Sequence, residues 1–365
     1  MIAPRVSALK DFQLENLREL AQCSGFCLTA LVPPFLPGQT SRSSPSAVLR
    51  NYTHAAELRL TELGATRQQI GTLLDPLVRL ASDPSSAEGF HWPRLVLRSP
   101  EIFEEFFLRH SVAPGLTVAQ HFQLLAFVAE AEMPHEFYLL KVSKKRAALE
   151  RAGWRLEPVT LPKAAQTLDG FLAMDIPDHD RENRNTVGGA AGTQRRVRFG
   201  TGSSERETHR AYLADFYRHI DHALGAFLRP RNSIVVLTGV EEDAALFRSV
   251  ATYPQVLPRG IQRSPDNGTS DEELLQLAAS LIRESILARN AAALAQARER
   301  LAPARISSDA GQIPQLAASG RVGELYVAED ARDEKLNRAL VETLTHSGEV
   351  HALPSGSAPA AMMRY

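Results

Sequence analysis

Residues 181–202 read RENRNTVGGAAGTQRRVRFGTG, and this stretch holds the densest set of side chains able to do chemistry. Between residues 181 and 210 lie seven arginines, Arg181, Arg184, Arg195, Arg196, Arg198, Arg206 and Arg210, against three glutamates, Glu182, Glu205 and Glu207. Guanidinium forks on a chain freed by glycine suit close approach to a phosphate backbone, so these seven are the candidate RNA contacts. The plain alternative is a solvated loop without a ligand. Gly188, Gly189, Gly192, Gly200 and Gly202, with no apolar period to anchor them, predict that residues 178–202 are mobile when nothing is bound.

Other constellations are weaker. Asp175, Asp178 and Asp180 beside His179 are close enough for Mg2+, but no acidic partner on a strand accompanies them, and solubilising loop residues are expected. His219 and His222 are spaced to share a metal along a helix, yet Asp221 points elsewhere and both flank the apolar stripe, which predicts an exposed face. Ser203 and Ser204 lack the strand-turn-helix setting of a nucleophile elbow, and capping accounts for them. No Walker A or dinucleotide-binding glycine pattern occurs; no metal site and no cofactor are expected.

The elements that must position the loop follow from periodicity. Ser204 and Glu207 form a capping box, and Leu213, Phe216, Tyr217, Ile220, Leu224, Phe227 and Leu228 recur on one face, predicting a helix over 204–228 stopped by Pro230. SIVVLTGV at 233–240 reads as a strand covered on both faces, with Ile220 packed against it. Downstream, a Ser270/Glu273 capping box opens a helix over 270–301. Helices over 313–318 and 336–345 then alternate with strands over 323–328 and 348–353. The first ~110 residues suggest a strand at 26–32 stopped by Pro33 and Pro34, a polar loop over 38–45, helices over 47–63 and 68–80, and an edge strand at 94–98, where RLVLR alternates charge with apolar side chains.

This order, a loop with a glycine pair, a long helix and a buried apolar strand, resembles the middle domain of the archaeo-eukaryotic release factors and Pelota, and more closely their bacterial relatives. Residues 136–161 look like the paired strands that open that middle domain, although 144–151 equally suit the start of a helix; the αβαβ run after residue 301 is similar to the family's third domain, and the ending AAMMRY resembles the terminus of the bacterial relatives. The resemblance covers roughly the last two-thirds of the chain. It implies an α/β protein of three α/β domains: an N-terminal domain over 1–130, a middle domain with an RNase H-like fold over 131–283, and an L7Ae-like C-terminal domain over 284–365. It also implies binding to the ribosome or tRNA in rescue or quality control. In the family a Gly-Gly-Gln motif places water against the peptidyl-tRNA ester. Here Gly188 and Gly189 occupy the pair's position, but Ala190 follows, and the nearest glutamine is Gln194. Gly188, Gly189 and Gln194 are therefore the catalytic candidates, and hydrolysis is expected to be absent. The alternative is a non-catalytic interaction module whose C-terminal domain docks a protein partner. No Asn-Ile-Lys-Ser signature occurs, so codon reading is not expected.

Composition agrees with several folded domains. A chain of 365 residues with 44% hydrophobic side chains has material for two or three cores, and a net charge of -1 confines any RNA contact to a local patch. Cys23 and Cys27 are too few for a disulfide framework, the N-terminus is too charged for a signal peptide, and residues 26–36 are too short to span a bilayer. A cytoplasmic protein without membrane contact is expected.

Overall fold

The computed structural model describes residues 11–34, 44–83, 92–110, 112–173, 203–263 and 268–364, without the side chains of 164 and 203–208. The described residues form a mixed α/β protein with three sheets, four-, five- and four-stranded along the chain. They divide into two compact units, one of Met1–His135 with Ala279–Tyr365, the other of Glu136–Ala278.

In the unit Glu136–Ala278 the sheet order is Leu156–Val159, Ala147–Ala152, Phe137–Val142, Val235–Gly239, Ile261–Gln262. The first three form an antiparallel meander, which settles residues 144–151 as turn and strand. Phe137–Val142 then pairs in parallel with Val235–Gly239, with Tyr138 opposite Val235 and Lys141 opposite Thr238. A parallel pair requires a long crossover, and the helix Ser203–Leu228 belongs to it. Leu213, Phe216, Tyr217, Ile220, Leu224 and Leu228 are buried and Phe227 is half-buried, as the apolar stripe predicts. Phe216, Tyr217, Ile220 and Leu224 share one core with Leu140, Val235, Leu237 and Phe247. The helix is described from Ser203, and the expected Ser204 cap falls on side chains outside the described set. It ends at Leu228, because Pro230 admits only one further 3-10 turn, Arg229–Arg231, before Asn232 turns left-handed at φ 48°.

The other unit carries two sheets. Phe103–Phe107, Arg94–Arg98, Cys27–Val32 and Gly115–Ala119 lie antiparallel in that order. Residues 94–98, expected at an edge, are instead interior and fully buried. Their terminal arginines are themselves buried and paired within the fold, which is why charge alternation misled. Arg94 pairs with Glu105 at 3.4 Å and lies 5.4 Å from the Phe107 ring centroid. Arg98 donates to Thr72 O at 2.8 Å and Leu73 O at 3.2 Å in the helix Arg67–Ser82. Pro76 within that helix has no N–H for the Thr72 carbonyl, so the guanidinium satisfies an acceptor that proline orphans. Leu28, Ala30, Val32 and Val96 pack against this helix and Pro45–Glu62, while Leu31, Leu95 and Leu97 turn to a core containing Leu325, Val327 and Leu340.

The second sheet of this unit runs Ile306–Ser307, Ala360–Met363, Val322–Ala328, Glu349–Leu353, the last two parallel. The helices Ile313–Ala318 and Glu334–Thr345 agree with the periodicity, and Gly320 takes the positive φ of 68° that stops the first of them. Buried Asn337 donates to Phe122 O at 2.9 Å and accepts from Leu124 N at 2.8 Å, tying residues 122–125 to this helix. Helix Asp271–Arg300 starts as expected, with Ser270 Oγ accepting from Glu273 N at 3.2 Å. No helix among the described residues is long and apolar enough to cross a membrane.

Candidate functional site

The loop expected to carry function falls in sequence between residue 173 and the helix Ser203–Leu228. Gly188, Gly189, Gln194, Arg181, Arg184, Arg195, Arg196 and Arg198 lie outside the described residues, as do Asp175, Asp178, His179 and Asp180. Arg206 is placed by its backbone alone, within the helix. Arg210 is described and exposed, the one expected RNA contact whose side chain the structure places.

Arg210 belongs to a cluster beyond the carboxyl ends of strands Phe137–Val142 and Val235–Gly239, the end of a parallel sheet where ligand sites gather. Gly239 lets these strand ends close up: a Cβ there would stand 2.7 Å from Val142 O. The chain then enters the helix Glu241–Val250, whose first turn is Glu241, Glu242 and Asp243, placed to complement the positive helix end. Lys144 Nζ donates to Glu242 Oε2 at 2.9 Å. That hydrogen bond and the Lys144 charge, with Arg210 adding to them, hold the Glu242 carboxyl below its ordinary range. Glu241 accepts from Gln262 Nε2 at 2.8 Å.

Beneath this exposed ion pair sits a buried one-carboxyl pocket. Asp243 is 3% exposed, and burial pushes its carboxyl up although the Lys144 charge and backbone N–H oppose the shift. The Tyr217 hydroxyl lies beside it and is raised, chiefly by burial and then by the Asp243 carboxylate. These groups order the sheet end from which the loop's exit helix rises. They provide no nucleophile with an adjacent base, and no group of three His, Cys, Asp or Glu among the described residues is arranged to hold a metal ion.

His219 and His222 do not converge. His222 is exposed, whereas half-buried His219 sets its ring 5.6 Å from Phe171. Asp221 between them is 4% exposed and caps the far loop: it accepts from Thr252 N at 2.9 Å, Thr252 Oγ1 at 2.6 Å and Tyr253 N at 3.1 Å. Sequence reasoning missed this role, since its partners lie 31 and 32 residues away; the only signal was a lone acid at the border of the apolar stripe. Cys23 and Cys27 are free thiols, and burial with the neighbouring Cys23 pushes Cys27 up to about 12.

A mixed sheet opened by an antiparallel meander, crossed by one long helix and followed by a short parallel extension is the frame on which the loop is mounted. Residues 136–321, just over half of the 365-residue chain, match the model of bacterial archaeo-eukaryotic release factor family 3. The chain belongs to that family. Among solved structures it is similar to the archaeal translation termination factor aRF1, with 13% identity, 96% of each chain covered and a TM-score of 0.24. It is similar also to the Thermoplasma acidophilum Pelota protein, with 10% identity, 98% of this chain and 95% of that one covered, and a TM-score of 0.23. The S. cerevisiae Dom34 structure gives 10% identity over 75% of this chain and 81% of its own, with a TM-score of 0.32. No curated protein matches.

Proposed function

We propose that this protein is a translation-associated, release-factor-like factor that binds the ribosome or tRNA in the cytoplasm through residues 178–202 and acts in ribosome rescue or quality control without hydrolysing peptidyl-tRNA. One observation carries the reading: a glycine pair, Gly188-Gly189, lies among seven arginines in the sequence and is followed by Ala190 rather than glutamine. Binding and hydrolysis are thereby separated. Arg181, Arg184, Arg195, Arg196, Arg198, Arg206 and Arg210 are the phosphate contacts, and Gln194 lies too far past Gly189 to present its amide without looping out the residues between. Ala190 equally favours a second reading, a non-catalytic module whose residues 284–365 dock a protein partner.

Cosedimentation with ribosomes at low and high salt separates the two. Phosphate-driven binding weakens steeply with salt, and Arg195→Ala with Arg196→Ala and Arg198→Ala flattens the log-log slope by roughly 2–3. Gln194→Ala leaves binding unchanged, because the amide is uncharged. Ribosome binding that ignores both salt and the arginine changes would favour the protein-docking module.

A further inference from the structure

Along the last three turns of the helix Ser203–Leu228, a groove of about 540 Å³ opens between the helix and residues 250–252. Arg218, His222, Gly225, Ala226 and Arg229 line it from the helix side, and Thr252 faces them. Residues 218, 222, 225 and 229 are spaced four, three and four apart, so they form one stripe along the helix. The stripe has an arginine toward each end, with His222 and the bare Gly225 between them.

The guanidinium groups have donors to spare. Arg218 uses Nη1 on Asp215 at 2.5 Å, in an exposed pair. Arg229 makes one long contact among the described residues, Nη2 to Thr252 Oγ1 at 3.4 Å. Its side chain folds back over Gly225, where a Cβ would stand 3.1 Å from Nε, so the glycine is what lets the fork lie across the groove. The one carboxylate lining the groove, Asp221, has both oxygens taken by Thr252 and Tyr253.

We infer that this groove is a second RNA-backbone site, seating successive phosphates of a single strand between Arg218 and Arg229. The layout suits an extended ligand: eleven residues put the two Cα atoms roughly 16 Å apart along the helix, and both heads reach back about one turn, Arg218 to Asp215 and Arg229 over Gly225, so the forks stay well separated and suit several phosphates along a strand. Planar forks with free donors match phosphate oxygens in pairs. The inference rests on the RNA-binding reading above and adds a contact that the loop does not supply.

The test uses the full chain and a fluorescein-labelled single-stranded RNA of about a dozen nucleotides, a length covering the groove with room to spare. Anisotropy is followed across a salt series. Arg218→Gln with Arg229→Gln is expected to weaken binding by roughly ten- to hundredfold at low salt. It also lowers the log-log slope by about 1.4, two contacts at ~0.7 each. Ala226→Glu, on an exposed position, should weaken binding without touching the core, and the Gly225 amide resonance should move on RNA addition in the unaltered protein. The Arg195/Arg196/Arg198 alanine variant reads the loop separately. If that variant binds like the parent while the groove variant loses slope, the loop reading fails and the groove stands. An unchanged slope in Arg218→Gln/Arg229→Gln with a still Gly225 resonance overturns the groove site, whatever the loop variant does. A polyglutamate peptide of equal charge competing as well as RNA overturns the assignment to nucleic acid.

Discussion

Replacing Ile220 by Asp tests whether the crossover helix is held by the face described above. Ile220 is 0% exposed and shares its core with Tyr217, Leu224, Val235 and Leu237. Losing the buried aliphatic side chain costs about 1.5–3 kcal/mol. Placing a carboxyl there without a partner costs roughly 1–3 kcal/mol more even when it is protonated. The sum, roughly 2.5–6 kcal/mol, is a large part of the ~5–15 kcal/mol that holds a domain. Ile220→Val, which keeps the shape, should cost only about 0.5–1.5 kcal/mol. The two tryptophans, Trp92 and Trp154, fall in different units, so in a Trp92→Phe background Trp154 fluorescence reports the unit Glu136–Ala278 alone. With a urea slope of ~1–3 kcal/mol/M, the Asp variant should lose at least ~1–2 M of its midpoint or fail to fold. An Asp midpoint no lower than that of Ile220→Val would refute the packing argument.

Two further outcomes follow from close contacts elsewhere. Gly239→Ala should destabilise the same unit by about 1–3 kcal/mol in the Trp154 urea assay, because its Cβ would meet Val142 O at 2.7 Å and neither strand can move without the other; a neutral effect would contradict the close strand approach. In the other unit, burial depresses the His351 imidazole, but its hydrogen bond to Glu132 at 3.1 Å and the carboxylates of Glu132, Glu324 and Glu349 outweigh burial and raise it above its ordinary value of 6.5. A raised native pKa stabilises below the unfolded value and loses that contribution as pH climbs through the native one. The urea midpoint followed by Trp92 should therefore fall from about pH 6.5 upward relative to His351→Gln, and parallel profiles for the two proteins would refute the coupling.

Local pattern carried most of the elements, and pairing carried what it missed. The helix Ser203–Leu228 was legible because seven apolar side chains recur at its period, and the strand Val235–Gly239 because a β-branched apolar run cannot sit in water. Residues 94–98 were legible as a strand but not in position, since only Thr72, Leu73 and Glu105 reveal why arginines belong inside. The cluster of Lys144, Arg210, Glu242 and Asp243 was illegible for the same reason: its members come from a strand end, a crossover helix and a second helix, joined only by the parallel pairing of strands about 100 residues apart. Of the candidate catalytic and RNA-binding residues, the structure places the side chain of Arg210 only.

The central claim is that the loop binds without cutting. The most direct measurement is release of labelled peptide from ribosomes carrying peptidyl-tRNA in the P site, with purified protein at concentrations that saturate its cosedimentation. Binding with release no faster than the spontaneous background, and identical for Gln194→Ala, is the predicted result. Multiple-turnover release that Gln194→Ala abolishes would contradict it and make the protein a peptidyl-tRNA hydrolase.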